Sequence, residues 1–239
     1  MTLTPFPAET GTGPRPAVLV LPGGSYSGIS PSEGEPYARW LNGLGIHAFV
    51  LEYPVAPARH PSALREARRA LASIRSGEHG LDIDPTRVGA LGSSAGGHLA
   101  ASAGSAMSSG DPALDGERPA FTILCYPVIS FLAGANPGVR DNLLGEGPSP
   151  ALVVESSVEL HVDARTPPTF AWFSTDDPVV DVANSWALFE RLARFAPASE
   201  LHVFPVGGHG LGMSTVTPHA AQWSALAIRW LALQGVIAP

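Results

Sequence analysis

The chain has 239 residues, 45% of them hydrophobic, and a formal net charge of -7. Enough apolar material is present to bury a core, and the absence of any Lys/Arg run argues against nucleic acid or an anionic membrane as partner. Cys125 is the single cysteine, so no intramolecular disulfide is available, and its place in "FTILCYP" reads as a buried structural thiol. No basic-then-apolar leader opens the sequence and no apolar stretch reaches spanning length, so a cytoplasmic, non-membrane protein is expected.

Residues 1–16, rich in Pro, Thr and Gly, read as an irregular lead-in. Strands are then expected at 17–23 (AVLVLPG), 47–53 (HAFVLEY), 87–93 (RVGALGS), 121–127 (FTILCYP), 169–175 (TFAWFST) and 200–206 (ELHVFPV). They are near-continuous apolar runs, the pattern of strands covered on both faces. Helical spacing appears between them at 35–45, 61–77, 96–108, 182–196 and 218–235. In the second of these, Leu64, Ala67, Leu71 and Ile74 share a face that Arg65, Arg68, Arg69 and Arg75 avoid. Alternating strands and helices predict one α/β domain over 1–239, a mostly parallel sheet of six or more strands flanked by helices. A segment at 128–168, dense in turn residues, reads as a short insertion of the kind that is functional or covers something.

The strand ending at Ser93 runs into a helix through Gly92-Ser93-Ser94-Ala95-Gly96, a G-x-S-x-G junction that selects Ser94, since Leu91 and Ala95 would occupy the glycine places in a frame centred on Ser93. Glycines there permit a sharp turn that lifts the hydroxyl clear of the sheet. His98 lies one helical turn beyond Ser94, facing away, and reads as a packed helix residue. Of the eight histidines, His47 and His202 lie in strands, His60 and His79 far upstream, His161 in the insertion and His219 at a helix start. His209, in the glycine-rich "PVGGHGLG" after the last strand, is at the edge where parallel sheets bind ligands. In the α/β-hydrolases, whose serine elbow this junction resembles, the acid falls between serine and histidine in chain order. "STDDPVVD" offers Asp176, Asp177 and Asp181; Asp181 reads as a helix cap, and Asp177 is favoured over Asp176 because Pro178 holds it extended. Oxyanion donors are expected from the backbone of Ala95 and from Gly24 and Ser25 in "LPGGSY". Tyr26, Tyr126 and Trp172, near strand ends, are candidates for pocket lining or for core.

With these residues placed, the chain resembles the α/β-hydrolase esterases, in particular the small acetyl-xylan and feruloyl esterase-like carbohydrate esterases. The resemblance rests on the oxyanion segment from "PAVLVLPGGSY", the elbow "RVGALGSSAGGHLAAS", the acid loop "TPPTFAWFSTDDPVV" and the histidine loop "ELHVFPVGGHGLG", in that order. It implies an α/β-hydrolase fold with a minimal cap, a Ser94–Asp177–His209 triad, and a hole from Gly24, Ser25 and Ala95. This sequence departs from the family pattern at Ser25, which stands where a third glycine is common, at Tyr53-Pro54, and at Asp181.

The expected function is a serine esterase cleaving short acetyl esters, with carbohydrates such as acetylated xylo-oligosaccharides as substrates. No cofactor is expected, and no ligand cluster with metal-binding spacing appears. Aryl formamidase or small peptidase-like chemistry on the same triad is the enzymatic alternative. A non-catalytic binding protein on the same fold is the other, and homo-oligomerisation is left open.

Overall fold

A computed structural model describes residues 2–9, 13–132 and 134–238. Its centre is a seven-stranded sheet. In chain order the elements are β1 (Thr2–Phe6), β2 (Arg15–Leu21), α1 (Glu35–Gly43), β3 (His47–Glu52), α2 (Ser62–Ser76), β4 (Ile83–Ser93), α3 (Ser94–Gly104) and β5 (Thr122–Cys125). They continue with α4 (Pro137–Leu144), α5 (Pro150–Glu155), β6 (Thr169–Ser174), α6 (Ala183–Phe195), β7 (Glu200–Phe204), α7 (Pro218–Ala221) and α8 (Trp223–Leu233). The strand order is β1-β3-β2-β4-β5-β6-β7. All neighbours are parallel except β1, which pairs antiparallel with β3 from Thr2↔Glu52 to Phe6↔Ala48.

The side-chain alternation of a strand explains the continuous apolar runs. Along β2, Leu19 and Leu21 point into a core shared with Leu64, Leu71 and Ile74 of α2 and Leu99 of α3. Val18 and Val20 point the other way, into a core with Tyr37 and Leu41 of α1 and Trp223 and Trp230 of α8. Helix α3 lies against the middle of the sheet and is buried along its whole length. Its Gly/Ala/Ser composition is what lets it approach β4 and β5 so closely, since a Cβ on Gly97 would press against Pro127.

Three expectations need correction. The lead-in at 1–16 is not irregular throughout, because it contributes β1 and the start of β2. β1 carries Pro5 and is largely exposed, both tolerated only because it is an edge strand. The last helix is interrupted at Gln222, where Trp223 turns inward, stacks on Trp172 and donates from Nε1 to Gly212 O at 3.2 Å. Arg68, expected on the solvent side of α2, is fully buried, with Nη1 on Asp115 Oδ1 at 2.7 Å and Nη2 donating to Ser105 O at 3.1 Å.

The segment 128–168 folds into α4, α5 and a 3₁₀ turn at Val158–His161. The first two start at Asn136 and Ser149, whose side chains accept from Val139 N–H and Leu152 N–H ahead of prolines in the first turn. Val128 N–H donates to Ser94 O at 3.1 Å and Asn142 Nδ2 to Ser25 O at 2.9 Å, so this segment braces two of the loops that hold candidate site residues. Among the described residues no helix is long and apolar enough to cross a membrane.

Candidate active site

The turn from β4 into α3 places the two adjacent serines on opposite sides. Ser93 is extended, and its Oγ donates inward to Tyr37 Oη at 3.0 Å. Ser94 adopts φ +52°, a left-handed conformation that costs a non-glycine residue about 1–3 kcal/mol and that persists only where surroundings enforce it. The enforcing contacts are the flanking glycines. A Cβ on Gly92 would overlap Gly96 O, and one on Gly96 would overlap Leu21 O and Pro22 O. The elbow therefore nests against the end of β2, and Ser94 Oγ meets His209 Nε2 at 3.0 Å.

His209 Nδ1 lies 2.7 Å from Asp177 Oδ2. The carboxylate can only accept, so Nδ1 carries the proton and Nε2 is left as an acceptor facing the Ser94 hydroxyl. Asp177 is fixed in turn by Val179 N–H and Val180 N–H, which donate to its Oδ1 at 2.8 and 2.9 Å. Its side chain is only 2% exposed, which keeps water from competing for the histidine. Asp176, the competing acid, points elsewhere. Its Oδ1 accepts from Gly207 N–H and Gly208 N–H at 2.9 and 2.8 Å, and these bonds, that of Gly208 foremost, hold its carboxyl below the usual range. It latches the histidine loop rather than facing the ring. Asp181 accepts from Ala183 N–H at 2.8 Å at the start of α6.

The segment after β2 makes a tight left-handed turn, with φ +131° at Gly24, +55° at Ser25 and +56° at Tyr26. A Cβ on Gly24 would overlap Gly28 O. The turn is closed by Ser27 N–H and Gly28 N–H on Gly24 O at 2.9 and 3.1 Å, and anchored by Tyr53 Oη on Pro22 O at 2.6 Å. Gly23 N–H donates to Glu33 Oε2 at 2.9 Å. Among the described residues no acceptor meets the N–H of Gly24 or Ser25. Ala95 N–H belongs to the first turn of α3, where amides have no partner within the helix.

Of the two readings of Tyr26, Tyr126 and Trp172, pocket lining or core, burial favours core: Tyr26 is 1% exposed, Tyr126 and Trp172 0%. Tyr26 Oη contacts His98 Nδ1 at 2.8 Å, and His98 Nε2 donates to Ser156 O at 2.9 Å. The carbonyl fixes the tautomer, so Tyr26 is the donor to Nδ1. Burial pushes His98 down to about 4, as suits a neutral packed histidine. Trp172 stacks on Trp223 at 5.7 Å, and the Tyr126 ring stands edge-on to His209 at 5.0 Å. Cys125 is buried as expected, and burial pushes its thiol up to about 12.

Sequence reasoning missed Glu33. It lies in "SPSEGEP", a stretch rich in Ser, Pro and Glu, yet it is 4% exposed. Tyr126 Oη donates to its Oε1 at 2.6 Å and accepts from Gly212 N–H at 3.0 Å, while Tyr37 Oη lies 3.4 Å from Tyr126 Oη. The signal that could have found it is its spacing ten residues after Gly23, in a loop too short to escape the sheet edge.

A flanked parallel sheet with a serine elbow after its central strand, an aspartate after β6 and a histidine after β7 defines an α/β-hydrolase. The chain belongs to the α/β-hydrolase fold family, which matches residues 18–213. It is 33% identical over 205 residues to an acetylxylan esterase of Xylanibacter ruminicola, covering 83% of this chain and 42% of that protein. It is 34% identical over 213 residues to endo-1,4-beta-xylanase B of Butyrivibrio fibrisolvens, covering 82% of this chain and 32% of that one. The chain thus spans less than half the length of these two curated relatives. The crystal structure of an acetyl ester-xyloside bifunctional hydrolase from Caldicellulosiruptor lactoaceticus superposes with a TM-score of 0.91 at 40% identity, over 99% of this chain and 89% of that one.

Proposed function

We propose that this protein is a serine esterase that removes acetyl and other short acyl groups from carbohydrate esters, acetylated xylo-oligosaccharides among them, through an acyl-enzyme. The observation that carries this reading is the continuous contact Ser94 Oγ–His209 Nε2–His209 Nδ1–Asp177 Oδ2, at 3.0 and 2.7 Å, on a strained elbow. His209 takes the Ser94 proton as the hydroxyl oxygen attacks the ester carbonyl. Asp177 keeps the ring oriented and stabilises the imidazolium. The negative oxygen of the tetrahedral intermediate is met by the amides of Gly24, Ser25 and Ala95, with the N-terminus of α3 behind them. His209 then protonates the leaving sugar hydroxyl, and afterwards activates the water that releases the acid. The names of the acetylxylan esterase and of the acetyl ester-xyloside hydrolase favour acetyl as the acyl group and a xylose-based alcohol.

Steady-state hydrolysis of p-nitrophenyl esters from acetate to octanoate, beside acetylated xylo-oligosaccharide, tests this in wild type and Ser94→Ala. Acetate is expected to be turned over fastest, acetate is expected to be released from the sugar, and the variant is expected to lose at least about 10⁴-fold in kcat with unchanged thermal stability. A Ser94→Ala protein that retains its turnover removes the nucleophile.

A further inference from the structure

Glu33 has no part in the proton transfers above, yet the buried polar chain it ends touches three of the four segments that build the candidate site: the turn after β2, the elbow and the histidine loop. Its Oε2 holds Gly23 N–H in the loop after β2. Its Oε1 receives Tyr126 Oη–H, and the same phenol oxygen accepts from Gly212 N–H in the histidine loop. Through Tyr37 the chain reaches Ser93 Oγ, next to the elbow serine. Glu33, Tyr37, Ser93 and Tyr126 are all buried, so water does not substitute for any of these partners.

A carboxylate is the one member of this chain that only accepts. With Glu33 at its end the hydrogen-bond directions are fixed: Ser93 donates to Tyr37, Tyr37 to Tyr126, and Tyr126 to Glu33. Tyr126 keeps its lone pairs for Tyr37 and Gly212. Gly23 N–H, the first amide of the turn, is drawn toward Glu33, and the turn then presents Gly24 and Ser25. The room for this is narrow, because a Cβ on Gly23 would approach Ser94 Cβ at 3.1 Å and overlap the Glu33 carboxylate.

We propose that Glu33 is a positioning residue for the esterase reaction: its carboxylate sets which amides of the 22–26 turn face the oxyanion and, through Tyr126, keeps that turn in register with the His209 loop. The proposal rests on the serine-esterase reading. Replacing the acid by its amide keeps the size but only one acceptor, so its NH₂ faces either Gly23 N–H, and that contact is lost, or Tyr126, and the tyrosine chain must reverse direction or break.

The test is p-nitrophenyl acetate hydrolysis by wild type, Ser94→Ala, Glu33→Gln, Tyr126→Phe and the Glu33→Gln/Tyr126→Phe double variant, with a thermal melt for each. A fully lost oxyanion donor costs about 10²–10³ in kcat, and a misaligned one less. Glu33→Gln is therefore expected to lose about 10- to 100-fold in kcat with KM changed by less than about 3-fold. Tyr126→Phe, which removes the bond to Glu33 and the acceptor for Gly212 N–H and Tyr37 Oη–H, is expected to shift the same parameter. The double variant is expected to lose less than the product of the two single losses, as groups acting in one network do. Should Glu33→Gln not fold, Tyr126→Phe carries the test alone, by the same split of kcat from KM. Wild-type kcat in a folded Glu33→Gln or Tyr126→Phe, or equal losses in kcat and in fraction folded, overturns the positioning role. If Ser94→Ala keeps its activity, the esterase reading itself fails, an outcome distinct from either.

Discussion

The two edges of the same sheet are built by opposite means. Where the strands begin, loops are fastened by arginines. Arg87 pairs with Asp84 at 2.7 Å and donates to Pro14 O and Val236 O; Arg118 pairs with Asp163 at 2.6 Å, and Arg68 with Asp115 at 2.7 Å. Where the strands end, the backbone is strained and the polar groups are buried and directional. Among the described residues, the non-glycine ones with positive φ, namely Ser25, Tyr26, Ser94 and Tyr126, all follow β2, β4 or β5 directly or within a few residues. One edge fixes connectivity at little conformational cost, whereas the other accepts strain to hold amides, a hydroxyl and an imidazole in mutual reach.

If that division is correct, substitutions at the two edges separate activity from stability. After Ser94→Ala, the largest effect is expected for Asp177→Asn, which leaves shape intact but allows the wrong His209 tautomer. A kcat loss of about 10³- to 10⁴-fold is expected in ester hydrolysis, with little change in melting temperature. A loss below tenfold would mean that Asp177 does not orient the ring.

A smaller effect comes from His98, buried behind the elbow. Its native ring protonates only near 4, against 6.5 for the unconstrained side chain. Between those values the unfolded chain binds a proton that the native protein does not, so stability falls as pH drops through that window, by up to about 3 kcal/mol. His60 and His47, lowered chiefly by burial, add in the same direction. Urea unfolding at pH 7, 5.5 and 4.5 is expected to show this decline, and His98→Gln, which can accept from Tyr26 and donate to Ser156, is expected to flatten it. An identical decline in the variant would assign the pH dependence elsewhere.

At the strand-entry edge, Arg68→Met is expected to cost about 2 kcal/mol of stability, below the usual figure for a broken buried pair because Asp115 is one-third exposed. Its kcat is expected to match wild type. A variant that kept its melting temperature and lost turnover would erase the contrast between the edges.

The parts legible in the sequence were those governed by local rules. The central strands announced themselves by apolar runs, and Ser94 by glycines whose absent side chains leave room for Gly96 O, Leu21 O and Pro22 O. β1 escaped notice because an exposed edge strand needs no apolar pattern, and the five residues of "TLTPF" carry a proline besides. Arg68 and Glu33 are buried by partners distant in sequence, Asp115 and Tyr126, so nothing near them foretold it. Tyr26, Tyr126 and Trp172 stay open in the sequence between pocket lining and core, and the fold buries all three. Side-chain direction after a strand depends on the backbone of the following residue, and two of these three have left-handed φ.

The most direct measurement is to quench a reaction with p-nitrophenyl acetate in acid during the pre-steady state and map the acetylated peptide by mass spectrometry. The account predicts one acetyl group per chain, on Ser94, formed at the rate of the nitrophenol burst. Acetylation of Ser93 or any other residue at that rate, or turnover with no acetyl group on the protein under conditions where acylation outpaces deacylation, would contradict it.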